Sequence, residues 1–329
     1  MKRDIVFYSV ASCVLIAFYV VYNGCLNCIQ NTCNIYYGNI SETLYYCGFS
    51  AFFFIHGYRV KDYGIKWNTL YIGSAIVAFS MVAGMFFSSE ESWIDFTGIA
   101  DGTWLVWFVP VLAVYLLTGI PVSRCVVNIG WRYKALIPIA LVVLYIMCRL
   151  MFYGQLDYQA YHLGKILFFL PLFYLGYLYR LELENMPELK DYLRMTSWVG
   201  ATFLTIISII FLRYYNFSFL QYHAVADALM QFACMGLVIS TFASLKDRCK
   251  DLKNIYRGGV VVNSSIPVIV LMVLFYEMLL RQDLFVKELL AHNVVIPFVT
   301  GILLVSASYS IILIAAVLYK MVAGLFVDV

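Results

Sequence analysis

Residues 43–62 read TLYYCGFSAFFFIHGYRVKD. An apolar and aromatic run reaches Ile55, then His56, Gly57 and Tyr58 follow, and Arg59, Lys61 and Asp62 crowd into the next four positions. Such a run reads as a helix that ends at a membrane boundary. A span needs about 20 mostly apolar residues to cross roughly 30 Å of hydrocarbon, and basic residues gather where the chain returns to the cytoplasm. The whole composition agrees. Of the 329 residues, 63% are hydrophobic, 18% aromatic and only 12% charged, with a mean hydropathy of +0.85. A soluble domain carries about 25% charged residues. The chain is therefore expected to be all-α: a polytopic membrane protein with a single domain over residues 1–329.

Working outward from 43–58, further runs fall at 5–23, 69–87, 103–120, 135–153, 163–179, 196–215, 224–243, 259–280 and 295–319. Ten spans in all are expected, with no connecting loop long enough to hold a soluble domain. The first is read as a retained span and not a cleaved signal peptide, because no small-residue cleavage site follows it. With the N-terminus placed in the cytoplasm, 17 of the 22 Lys and Arg fall on the inner side. The other five, Arg149, Lys165, Arg213, Arg281 and Lys287, fall at outer helix ends or in the last outer loop. This asymmetry argues that both termini are cytoplasmic. It also makes the net charge of +3 a matter of inner-face anchoring, so no nucleic-acid partner is expected; the partner that the composition does require is the lipid bilayer.

The first outer loop, NGCLNCIQNTCN at 23–34, places Cys25, Cys28 and Cys33 on the oxidising side. No histidine or further cysteine in the loop completes a tetrahedral zinc set, so a disulfide of open connectivity is expected there and no metal. Cys13, Cys148 and Cys234 lie within spans, where cysteine behaves as a small apolar residue. The chain shows no internal repeat, which weakens a secondary-transporter reading. Phosphate-cradling, nucleophile-elbow and HExxH motifs are likewise missing.

Three stretches together resemble a known family. FFFIHGY at 52–58, WFVPVLAVYLL at 107–117 and FFLPLFYLGYLYR at 168–180 are similar to the FFFISGY, WFLPALFVYLL and FFPFFLLGYLLK stretches of acyltransferase family 3, the integral-membrane sugar O-acyltransferases. Their order and their places on the second, fourth and sixth spans agree with that family. The resemblance implies a protein of the bacterial cytoplasmic (inner) membrane. It implies an acyl group, acetyl in the simplest case, taken from acetyl-CoA or another acyl-CoA on the cytoplasmic side. The acceptor would be a hydroxyl of a lipid-linked sugar or surface polysaccharide, and no metal would be needed. The first-span pattern of the family, an Arg with a His eleven residues later, is not preserved: eleven residues after Arg3 stands Val14. Its ninth-span pattern of Ser, Tyr and His is reduced to Ser264, Ser265 and Tyr276 in VNSSIPVIVLMVLFYEML at 262–279. A non-catalytic relative, acting as a transporter or glycan-export component, is therefore the alternative expectation. An acyltransferase with relocated catalytic residues is a third.

The candidate residues follow from these departures. His56 and Arg59, three apart, share a helix face and are suited to an anionic acyl donor. A histidine, titrating near pH ~6.5 when unperturbed, can also act as a general base. The competing reading is a ring that snorkels at the interface beside a positive-inside arginine. His223 and Asp227, one turn apart, read either as a base with its orienting carboxylate or as an interfacial pair. Arg149 in RLMFYGQLDYQAYH has Asp157 and His162 as possible partners, and Glu277 with Arg281 reads as a structural ion pair. Trp107 can stack on a sugar, and Arg3 and Arg149 join it as candidate substrate-binding residues.

Overall fold

The computed structural model describes residues 3–28, 35–60, 111–112, 114–115, 129–152, 159–181, 220–248, 265–275 and 295–327. Among them all regular structure is helical. There are seven long elements: α1 (Arg3–Cys28), α2 (Ile35–Arg59), α3 (Trp131–Phe152), α4 (Gln159–Leu181), α5 (Leu220–Arg248), α6 (Ser265–Phe275) and α7 (Val295–Val327). Each coincides with one of the apolar runs read from the sequence. The runs at 69–87 and 196–215 and most of 103–120 lie outside the described residues. Two boundaries move: α1 continues past residue 23 to Cys28, and α2 begins at Ile35 and not near 43. Cys25 and Cys28 thus stand on a helix, three residues apart, with their side chains and Cys33 outside the description.

Among the described residues two helices are long and apolar enough to cross a membrane, at Tyr133–Met151 in α3 and Ile296–Ala315 in α7. Only 22% and 17% of these windows is buried, whereas the core helix of a soluble protein is buried over most of its length. Their outward faces are rich in large apolar residues. On α3 the outward residues include Leu136, Val143, Met147 and Met151, while Lys134 and Tyr145 are buried. On α7, Val299, Leu303, Ile314 and Leu318 face outward and Ser308 is buried. Large apolar residues facing outward suit hydrocarbon solvent, and the exposed Ser306 and Ser310 of α7 each donate to a carbonyl one turn earlier.

The described helices divide into two compact units, and α2 runs through both. The first comprises α1, α2 up to Gly48, α6 and α7. Its core is the stripe Cys13, Ile16, Ala17, Val20 and Val21, whose spacing of three and four residues marks one helix face. Close approach within the unit depends on small residues. Gly48 lies against the Ile16 backbone, and Gly301 lies under the Phe18 ring, which meets Phe298 edge-on at 4.6 Å.

The second unit comprises α2 from Phe49 onward with α3, α4 and α5. Here α2 is buried all round: Phe52, Phe53, Phe54, Ile55, His56 and Tyr58 are all below one-tenth exposed, as expected of a helix with no polar face. It crosses α4 at a reciprocal glycine contact. A side-chain carbon at Gly57 would overlap the Phe173 carbonyl, and one at Gly176 would overlap the Phe54 carbonyl. Aromatic rings fill the surroundings. Phe53 stacks on Phe169 at 5.1 Å, and Tyr115 meets both Phe53 and Phe173 at 5.2 Å.

Candidate functional site

The turn that carries His56 is fixed from two sides. His56 Nδ1 lies 2.8 Å from the Phe52 carbonyl oxygen one turn earlier. A carbonyl only accepts, so Nδ1 carries the proton, and in the neutral ring Nε2 keeps its lone pair. The imidazole also rests on the Phe52 ring, centroid to centroid 4.2 Å, and is only 6% exposed. The ring is thus packed within the second unit and does not snorkel from its surface.

Below this turn α2 ends at Arg59, and its last carbonyls lack partners within the helix. Arg180 from α4 supplies them. Its Nη1 donates to the Tyr58 carbonyl at 3.2 Å and to the Val60 carbonyl at 3.5 Å, while the guanidinium lies 5.9 Å from the centre of the Tyr58 ring. A cation at a helix C-terminus is also favoured by the helix dipole. Arg59 shares the last turn of α2 with His56, as their spacing predicts.

A second polar group gathers between α3, α4 and α5. Tyr145 donates a 2.7 Å hydrogen bond to Asp227 Oδ2. Arg149, one turn along α3, holds the same oxygen in an ion pair at 3.8 Å, too long for a hydrogen bond. One turn beyond Asp227 on α5, Gln231 is completely buried and donates from Nε2 to the Phe168 carbonyl at 2.9 Å. Pro171 lies nearby inside α4, where its missing N–H removes the helical donor of the Leu167 carbonyl.

The structure separates these two places. Phe54 and Tyr58, on either side of His56, both pack on Phe242 of α5. Asp227 precedes Phe242 by fifteen residues on that helix, about 22 Å at 1.5 Å per residue. His56 and Arg59 therefore belong to one end of the second unit, and Arg149 and Asp227 to the other.

The sequence-predicted residues thus fall into distinct groups. His56 with Arg59 is one local constellation. Asp227 is joined by Arg149, which the sequence had paired only with Asp157 or His162. Neighbours in the same helix or loop are legible from spacing, whereas this partner comes from another helix. His223 does lie one turn before Asp227 on α5, but its side chain, that of Arg3, and all of Trp107 are outside the described residues. So are Glu277 and Arg281. Tyr145 and Gln231 escaped sequence reading, although Gln231 is a lone amide in the apolar run DALMQFACMGLV and Tyr145 precedes Arg149 by one turn. Among the described residues no group of three or more His, Cys, Asp or Glu is placed to hold a metal. Cys13, Cys47 and Cys148 are free thiols.

Comparison with protein-family models, with curated proteins and with solved structures finds no match.

Proposed function

We propose that the chain is a multi-pass, ten-span membrane protein of the bacterial cytoplasmic membrane. It would transfer an acyl group, acetyl in the simplest case, from a cytoplasmic acyl-CoA to a hydroxyl of a lipid-linked sugar or surface glycan. His56 is the general base of this reading, and Arg59 faces the anionic donor beside it. The observation that carries it is the bond from His56 Nδ1 to the Phe52 carbonyl. It holds the ring in the tautomer whose Nε2 can take a proton from a hydroxyl, the same division of labour between the two nitrogens that serves hydrolytic triads. In support, the three stretches that resemble acyltransferase family 3 pack on one another through Phe53, Tyr115, Phe169 and Phe173.

The transfer has a simple balance. The acceptor oxygen attacks the thioester carbonyl and loses its proton to His56, and the thiolate of CoA leaves and is protonated in turn. Mass analysis of surface glycan from cells with and without this protein tests the proposal. A difference of one acyl mass per modified sugar is expected, and glycan of unchanged substitution would sink it.

A second reading, a glycan-export component, is favoured by the other end of the unit. An arginine and an aspartate paired between apolar helices mark a pathway more often than a scaffold, and this pair lies about 22 Å from His56 along α5. Loss of surface glycan with its acylation intact would select this reading.

A further inference from the structure

Gln231 is completely buried, and its amide is satisfied on one side only. The Phe168 carbonyl can only accept, so the nitrogen must face it. This leaves Oε1 as the free end, and it has no hydrogen-bond partner. An acceptor left unmade in an apolar interior is destabilising by about 1–3 kcal/mol, so a side chain retained there calls for an occupant. Its place says which kind. Asp227, one turn earlier, lies on the same face of α5 and reaches the surface, its side chain 15% exposed beside Arg149 at 24%. Phe168, whose carbonyl anchors Gln231, packs its ring edge-on to Tyr145 at 5.7 Å, and Tyr145 in turn bonds Asp227. A continuous polar lane of side chains from α3, α4 and α5 thus runs from the partly exposed Asp227 to the buried Gln231.

A free cation is disfavoured in this lane by the Arg149 guanidinium. An anion is disfavoured by the Asp227 carboxylate and by the acceptor oxygen of Gln231. Hydroxyl groups fit both, since they donate to Gln231 and Asp227 and accept from Arg149. We infer that Gln231 Oε1 and the Asp227 carboxylate receive the hydroxyls of a neutral, polyhydroxylated headgroup. This binding is independent of the acyl-transfer reading, since Gln231 and Asp227 stand eleven and fifteen residues along α5 from Phe242, on which the His56 turn packs, too far for His56 to reach a hydroxyl held there.

The test uses the full-length protein in lipid nanodiscs with no acyl donor present. Octyl β-glucoside, below its micelle concentration, is the probe, and octanol controls for partition into lipid. Saturable binding of the glucoside but not of octanol is expected, weakened roughly five- to tenfold in Gln231→Leu, as loss of one hydrogen bond in a dry site requires. Asp227→Asn is measured beside it and is expected to weaken binding by at least as much; it decides the matter if Gln231→Leu does not insert. Absence of glucoside-specific binding, as for a lane filled by water alone, overturns the inference, and so does undiminished binding in the variants. Binding without acyl transfer would leave the site standing and remove the enzyme. Transfer without glucoside binding would do the reverse.

Discussion

Gly57 and Gly176 form a reciprocal contact in which each glycine lies against a backbone carbonyl of the other's helix, Gly57 on Phe173 and Gly176 on Phe54. Small residues allow this kind of backbone approach between helices in lipid, where no hydrophobic force draws helices together. The contact sets the height of the His56 turn against α4, one residue away from Gly57.

Alanine at either glycine is therefore expected to force α2 and α4 apart. The overlap involves backbone, which cannot rotate away as a side chain can, so the loss should reach or exceed about 3 kcal/mol, the upper part of the range for overpacking. Thermal unfolding in detergent, followed by size-exclusion fluorescence, measures it. Wild-type stability in Gly57→Ala or Gly176→Ala would show that the helices do not meet this way.

The Arg149 and Asp227 pair predicts non-additive energetics. Removing one partner leaves a partly buried charge without its counterion, and a fully buried case would lose about 3–5 kcal/mol. Both side chains keep some exposure, 24% and 15%, so about 1–3 kcal/mol is expected for Arg149→Met or Asp227→Leu alone. The double variant should recover much of that loss. A double-mutant cycle on thermal stability reads the coupling; simple addition of the two losses would contradict the pairing.

Acyl transfer should depend on His56. His56→Ala and the larger His56→Gln should both lower the initial rate from radiolabelled acetyl-CoA in inverted vesicles by roughly 10²–10⁴-fold, as loss of a general base does. Protein abundance should stay near wild type in the Gln variant, which refills the space. His223→Ala is expected to lower the rate less. Retention of a tenth of the activity in every variant would place the chemistry elsewhere.

Membrane topology is open to a direct check. Reporter fusions after Arg59, Arg132, Arg194 and Lys250 should report cytoplasm, and fusions near Thr32, Asp95, Gln155, Asn216 and Asn293 should report the outside. Two or more reversed sites would defeat the ten-span arrangement and its placing of His56 on the donor side.

Much of this architecture is legible in the residues themselves. The apolar runs locate every described helix because span length is a property of local composition. The pairing of His56 with Arg59 on one turn follows from helical spacing alone. Burial on all sides of Phe52 to Tyr58 is likewise written in a helix that has no polar face. What the tertiary structure decided is which helices cover one another. Periodicity reports that a face must be buried but not what buries it, so Tyr145 and Asp227, 82 residues apart, carry no local sign of their hydrogen bond. The same holds for Gln231 and the Phe168 carbonyl, 63 residues apart. Pro171 announces an interrupted turn in α4, whereas only the packing of α5 beside it determines that Gln231 donates to the Phe168 carbonyl.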